Sequence, residues 1–224
     1  MEDLDEKLSV RTFRMGAVYA AARLKALEET QHLAGAFEEA ADKFALLEEE
    51  EGDLAVRWAT TLALVETADG AWDDTILAFR RRLLEQVGHN TEAELYRRYF
   101  AEIPSQVTSL SYVAEIMISK ELEAHLADEP IAELQSFSAR LAEKRAVLEA
   151  RIQDRVRLEV EQARFANRVA LAKQILNKLR RGAQSNLGEL AAAHGRDETW
   201  AAHILEGGSS GLSFVEEVLP EPLD

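Results

Sequence analysis

The chain has 224 residues with a formal net charge of −15, 47% hydrophobic residues and no cysteine. The lack of cysteine excludes a disulfide framework and thiolate metal sites, and the hydrophobic share is too large for a disordered chain. No apolar run approaches the roughly 20 residues of a membrane span. The first residues are acidic and lack the basic and apolar regions of a signal peptide. We therefore expect a soluble, cytoplasmic, acidic protein without a membrane span.

The first quarter of the chain has apolar residues at helical spacing. This spacing predicts one long helix over 2–51, which ends at the acidic run before Gly52. Asp53 is placed to cap a shorter helix. Gly70 predicts a break or kink in the following segment, and residues 88–90, Gly-His-Asn, predict the end of a helix.

Three further signals precede the longest element. The sequence Thr-Glu-Ala-Glu at 91–94 has the capping-box pattern and predicts a short helix toward Ile103. Residues 105–127 carry apolar side chains on almost every side, so this segment is predicted to be the central buried helix. Asp128-Glu129-Pro130 then ends that helix and begins the next one.

The longest predicted helix covers residues 130–181, which contain neither Gly nor Pro after Pro130. At ~1.5 Å per residue it would extend roughly 75 Å, more than a compact domain of this size accommodates. Its apolar residues follow a coiled-coil-like seam that Arg145 and Arg155 interrupt. Two such long amphipathic helices predict an all-α, elongated helical bundle.

This helix is basic although the chain is acidic. No acidic residue occurs between Glu161 and Glu189. The basic residues of this window are Arg164, Arg168, Lys173, Lys178, Arg180 and Arg181. They could pair with acidic helices such as the run at 48–51, in the same or another copy, or contact the phosphates of nucleic acid or of an anionic membrane. Pairing with protein is favoured because the overall negative charge repels polyanions.

Residues 186–205 read as a helix, a turn at Gly195 and a second helix. DNA-reading helix-turn-helix units have this order, but here the second helix begins with Asp197 and Glu198, which would face phosphates poorly. We therefore predict a short helical hairpin. Its apolar residues would pack on the bundle: Leu190, Trp200 and Ile204.

The end of the chain resembles a tethered docking peptide in composition. Residues 207–211, Gly-Gly-Ser-Ser-Gly, form a flexible linker, and an acidic and apolar segment follows. We predict that this tail recruits a protein partner, unless it folds back on its own bundle or stays disordered. The predicted contact residues are Leu212, Phe214, Val215, Val218 and Leu219. The predicted divisions are 1–181 for the bundle, 182–206 for the hairpin and 207–224 for the linker and tail.

Catalytic patterns are weak. Glu29 and His32 form one Glu-x-x-His motif, but a di-iron bundle needs two such motifs and two further glutamates. Asp73 and Asp74 are adjacent acids that are typical of a helix start. We expect no catalytic residue, metal or cofactor. The sequence thus favours a non-enzymatic scaffold or adaptor that self-associates, preferably as a dimer. The alternative is a nucleic-acid-associated factor that uses 164–181 and 186–205.

Overall fold

The computed structural model describes residues 3–100, 110–197 and 199–206. Across these residues the chain forms helices and no strand. The helices are α1 (Val10–Lys25), a 3-10 turn (Glu28–Thr30), α2 (Gln31–Gln86), α3 (Glu94–Tyr99), α4 (Tyr112–Ala127), α5 (Ala132–Ala193) and α6 (Thr199–Glu206). The predicted all-α class is confirmed, as are two long helices, which have 56 and 62 residues.

The helices belong to two compact units. One unit takes in the described residues of 1–55 and 161–224, and the other takes in those of 56–160. We call them the terminal unit and the middle unit. Helices α2 and α5 each contribute residues to both units.

The prediction of one helix over 2–51 is wrong, because the chain turns between α1 and α2. Helix α1 begins after Ser9, whose Oγ accepts a hydrogen bond of 3.1 Å from the amide of Thr12. Leu27 then takes an extended conformation. The fully buried hydroxyl of Thr30 donates to the carbonyl oxygens of Leu24 at 2.6 Å and Leu27 at 3.1 Å. The bond to Leu24 satisfies a carbonyl at the end of α1 that the helix itself leaves without a partner.

Helix α2 passes through both glycines that were expected to interrupt it. Gly52 and Gly70 lie inside the helix, where each costs about 1 kcal/mol relative to alanine. Packing of their neighbours Leu54 and Trp72, which are 6% and 0% exposed, offsets this cost. The predicted stop is confirmed, since Gly88 has a positive φ of 58° just after the helix ends.

Helix α5 confirms the long helix predicted from 130 and continues beyond 181. Gly182 and Gly188 lie within it. The helix ends where Gly195 takes a φ of 64°, and the amide of Arg196 donates to the carbonyl of Ala191 at 2.9 Å. This is the usual glycine-dependent helix end. The predicted hairpin is present, with the last turns of α5 as its first arm and α6 as its second.

The predicted capping box at 91–94 is absent. Helix α3 begins at Glu94, and its N-cap residue Ala93 makes no side-chain hydrogen bond to the helix. Instead, the Asn90 side chain accepts a hydrogen bond of 3.0 Å from the amide of Glu92, so the turn is held from its first residue. The predicted extension toward Ile103 lies partly outside the described residues.

Helix α4 is not the fully buried helix that its composition suggested. Val113 and Met117 are 68% and 60% exposed, whereas Glu115 and Ser119 are 2% and 0% exposed. The buried residues follow one another at steps of three and four, so packing within the middle unit selects a single face of α4. A polar pair on that face therefore takes the place of larger apolar residues.

The core of the terminal unit combines α1, α2, α5 and α6. Helix α1 contributes mostly small residues, which permit close helix approach, and α6 packs against it. The Phe13 and Phe44 rings lie 5.7 Å apart between α1 and α2. Further buried residues include Phe37, Leu176, Leu187, Ile204 and Leu205.

The core of the middle unit is aromatic. The ring of Phe79 lies 5.2 to 5.6 Å from the rings of Tyr99, Phe100 and Phe137, which come from α3, the residue after it, and α5. The carboxylate of Glu129, 3% exposed, accepts hydrogen bonds from the Tyr99 hydroxyl and, at 3.2 Å, from the amide of Ile131. The predicted break at 128–130 is thus confirmed and fixed by a buried acid.

Candidate interaction surfaces

The basic window of α5 binds the segment that precedes α1. Lys173 is 8% exposed, and its Nζ donates to the carbonyl oxygens of Glu6 at 2.8 Å and Leu8 at 2.6 Å. The same ammonium lies 5.1 Å from the centroid of the Phe13 ring. Backbone dipoles and an aromatic face thus compensate this buried cation.

Asn177 and Arg181 extend this contact by one and two helical turns. The Asn177 side chain donates to the carbonyl of Leu4 at 2.9 Å and accepts from its amide at 3.0 Å. A Cβ atom on Gly16 would lie only 3.2 Å from Leu4 Cδ1, so a glycine leaves room for this leucine. Arg181 forms an ion pair with Asp3. The residues before α1 are therefore a strap held along α5.

Arg168 pairs with the acidic run of α2. This pairing is one of the two explanations that the sequence offered for the basic window. Its guanidinium forms an ion pair with Glu50 and lies 5.6 Å from the Phe165 ring centroid. The hydrogen bond from Arg168 lowers the pKa of Glu50 below its usual value. Arg164 is exposed and, with Leu54, borders a shallow cavity of about 480 Å³ beside this pair.

The remaining two cations of the window have different surroundings. Arg180 is 5% exposed, whereas Lys178 is exposed and borders an apolar groove between α2 and α5. The six basic residues therefore do not share one exposed face. Two of them are buried, two contact carboxylates, and Arg164 and Lys178 lie at cavity edges.

The middle unit contains a cluster of carboxyl groups from two helices, which we call the acid cluster: the half-buried Asp69 and Asp73 of α2 and the buried Glu115 of α4. Asp69 and Asp73 each have one buried oxygen with no hydrogen-bond partner among the described residues. Burial raises the pKa of Glu115 to about 8, and the adjacent Asp69 and Asp73 add to the rise. Burial, with the charges of Asp69 and Asp74, raises the pKa of Asp73 to about 6. Burial and the neighbouring carboxyl groups thus favour the neutral form of Glu115.

A hydrogen-bonded network lies next to this cluster on α4. Trp72 Nε1 donates to Ser119 Oγ at 3.0 Å, and that hydroxyl donates to Glu123 at 2.9 Å. Arg145 donates to both oxygens of Glu123, at 2.7 and 2.9 Å, and to Glu149 at 2.8 Å. Arg145, which interrupts the predicted seam of the long helix, is therefore accommodated by two carboxylates.

The residues considered for catalysis are dispersed. Glu29 forms an ion pair with Arg196, while the exposed His32 borders the apolar groove. Asp74 is exposed and Asp73 belongs to the acid cluster. Within residues 3–100, 110–197 and 199–206, no group of three or more His, Asp or Glu side chains has an arrangement that could hold a metal ion.

The predicted tail contacts lie outside the described residues: Leu212, Phe214, Val215, Val218 and Leu219. Of the helices in the described part, none combines the length and apolar character needed to cross a bilayer. Glu198, one of the two acids that argued against DNA reading, is also outside the described residues.

Two features escaped the sequence reasoning. For the acid cluster, the sequence contains one local signal. Asp69 and Asp73 are four residues apart, so they lie on one helix face with Trp72 and Ile76 nearby. No sequence signal indicates that Glu115 is buried, because a glutamate in an apolar helix is normally assigned to the exposed side of the helix. The role of Asn177 depends on a strap that is distant in sequence.

The fold and these surfaces define an all-α protein whose two units each combine the long helices α2 and α5 with shorter ones. Comparison with protein-family models, curated proteins and solved structures finds no match to this chain.

Proposed function

We propose that this chain is a non-enzymatic helical scaffold or adaptor that self-associates through its long helices. The observation that carries this proposal is a set of exposed apolar residues on both long helices within the middle unit. Val56 and Leu64 of α2 are 67% and 41% exposed, and Val156 and Val160 of α5 are 48% and 47% exposed.

These residues lie where the core is thin. The nearby apolar cluster consists of Val65, Ala68 and Leu148, with Tyr112 and Ile152 packed partly buried against it. From 55 to 64 no α2 residue is buried, so this stretch of α2 lacks the close packing of the aromatic core. A second copy would supply the missing neighbours.

The size of the effect favours a dimer. Burying the remaining exposed area of each such side chain contributes on the order of 1 kcal/mol. A two-fold interface uses every contributing residue twice, so four residues per chain become eight per dimer. This gain is sufficient to offset a substantial part of the cost of association.

The tail supports the adaptor part of the proposal. Its apolar and acidic residues follow a five-residue Gly/Ser linker, which is a composition typical of segments that bind a groove on a partner. The nucleic-acid alternative has less support, because Arg168 and Arg181 contact carboxylates while Lys173 and Arg180 are buried.

Size-exclusion chromatography with light scattering tests self-association. The full chain should have twice the 25.0 kDa chain mass, and a variant with Val156→Glu and Val160→Glu should have the single-chain mass. Val18→Glu, on the exposed side of α1, is the matched control and should leave the dimer intact. A wild-type mass of one chain at high micromolar concentration would refute the proposal.

A further inference from the structure

The terminal unit contains an apolar groove between α2 and α5 that its core does not fill. The groove encloses about 460 Å³, within the range of ligand pockets. Its apolar walls come from Leu33 and Ala36 of α2 and from Ile175 and Leu179 of α5. Ile175 is 48% exposed, and a Cβ atom on Gly182 would meet nothing within 4 Å. The groove therefore has both apolar surface and room for another apolar segment.

The edge of this groove carries the ammonium of Lys178. Lys178 and His32 border it, and both are exposed. A matching ligand is an apolar segment that also carries carboxylates, because the apolar groups would fill the groove while the carboxylates face the ammonium. In the chain's own tail, Glu216 and Glu217 lie between apolar residues on both sides.

We propose that this groove is the docking site of the chain's own residues 212–219, which makes the tail a latch. The function of this latch rests on the proposed adaptor role, since a docked tail is withheld from a partner. A partner that binds the tail must then compete with the groove.

The linker limits how far the tail can reach from the end of α6. Helix α6 ends at Glu206, and the six steps from there to Leu212 span at most about 20 Å when extended. Two contacts connect α6 with α2 through α1: Arg23 of α1 donates to the carbonyl of His203 at 3.4 Å, and Lys25 of α1 pairs with Glu38 of α2. Glu38 directly follows Phe37, which lines the groove.

The tether also removes the need for strong binding. A short flexible linker gives its segment an effective concentration in the millimolar range. A tail that would bind the groove with a Kd of about 1 mM as a free peptide would still occupy it for about half of the time. A partner of micromolar affinity would displace it readily.

Disulfide trapping in the full chain tests the latch, and the chain has no native cysteine to interfere. The variant places Asn186→Cys at the groove, which Asn186 lines, and Ser213→Cys in the tail. Under mild oxidation we expect an intramolecular disulfide, seen as a faster-migrating single chain on a non-reducing gel. Adding Ile175→Glu should slow its formation at least about tenfold, a change worth about 1.4 kcal/mol.

The matched control is Leu46→Glu, which adds the same charge at a 68% exposed α2 residue and should leave trapping unchanged. A disulfide-linked dimer in place of the single-chain product would overturn the proposal, since the tail would then occupy a second copy. Absence of trapping, or equal trapping with Ile175→Glu, would overturn it as well. Light scattering on the chain without introduced cysteines measures self-association separately. A single-chain mass together with intact trapping would reject the self-associating scaffold but not the latch.

Discussion

Replacing Glu115 by glutamine should change how the stability of the middle unit depends on pH. In the folded chain the pKa of Glu115 is about 8, against an ordinary value of 4.5. The folded state therefore holds this proton more tightly than the unfolded state, and stability falls as pH rises from about 4.5 to about 8.

The size of this effect follows from the two pKa values. Linkage of one proton with these values lowers the free energy of unfolding by about 2 kcal/mol between pH 6 and pH 8. Asp74 of α2 acts on Asp73, and Tyr112 of α4 interacts with Asp69 and Glu115. Glu66 of α2 and Arg155 of α5 in turn act on Tyr112. Asp73, with a pKa of about 6, contributes mostly below this window.

Urea unfolding at pH 6, 7 and 8, followed by circular dichroism and tryptophan fluorescence, measures this dependence. Glu115→Gln should remove the loss of about 2 kcal/mol in the free energy of unfolding between pH 6 and pH 8. The stability of the variant relative to the wild type should therefore increase as pH rises. Glu121→Gln, on the exposed side of α4, is the control and should retain the wild-type slope. Parallel pH curves for Glu115→Gln and the wild type would refute the reasoning.

Four further predictions concern stability, each measured by urea or thermal unfolding. Lys173→Met should cost about 1–3 kcal/mol because the carbonyls of Glu6 and Leu8 lose their donor. The exposed Lys178→Met should change stability by less than about 0.5 kcal/mol, and equal effects would contradict the burial of Lys173. Gly70→Ala should stabilise by about 0.5–1 kcal/mol, since it lies within a helix with open space around it. Gly195→Ala should destabilise by about 1–2 kcal/mol because Gly195 has a positive φ. A stability change of the same sign at Gly70 and Gly195 would contradict the helical conformation of the first or the positive φ of the second. Phe79→Ala should cost about 3–5 kcal/mol, and a loss below 1 kcal/mol would contradict its place at the centre of the aromatic core.

Much of the fold could be predicted because helix periodicity and the strongest stop signals are local. The all-α class, the long helix from 130 and the ends near Gly88 and Gly195 all follow from such signals. The glycines at 52, 70 and 182 misled the prediction for one reason. A glycine ends a helix when the chain takes a positive φ there, and sequence does not reveal φ.

The errors in α1 and α4 have a tertiary origin. The turn after α1 depends on hydrogen bonds from the Thr30 hydroxyl to two carbonyls. Packing of Phe13 on Phe44 further stabilises the reversal of the chain between α1 and α2. Ser119 of α4 faces the core because its hydroxyl accepts a hydrogen bond from Trp72 of α2. Val113 and Met117 are left outside for that reason. Neither choice follows from the composition of the helix itself.

The contacts of the basic window of α5 explain why an acidic chain contains it. A cation that pairs within its own chain must meet an acid or a carbonyl that is close in space, and the strap provides both: Asp3 meets Arg181, and two carbonyls meet Lys173. Arg168 finds its acid on α2. Lys178 differs from these cations because it lies at the edge of an apolar groove, where in our proposal it faces the acidic residues of the tail. The window thus combines two tasks: it binds the segment that precedes α1, and in our proposal it positions the segment that follows α6.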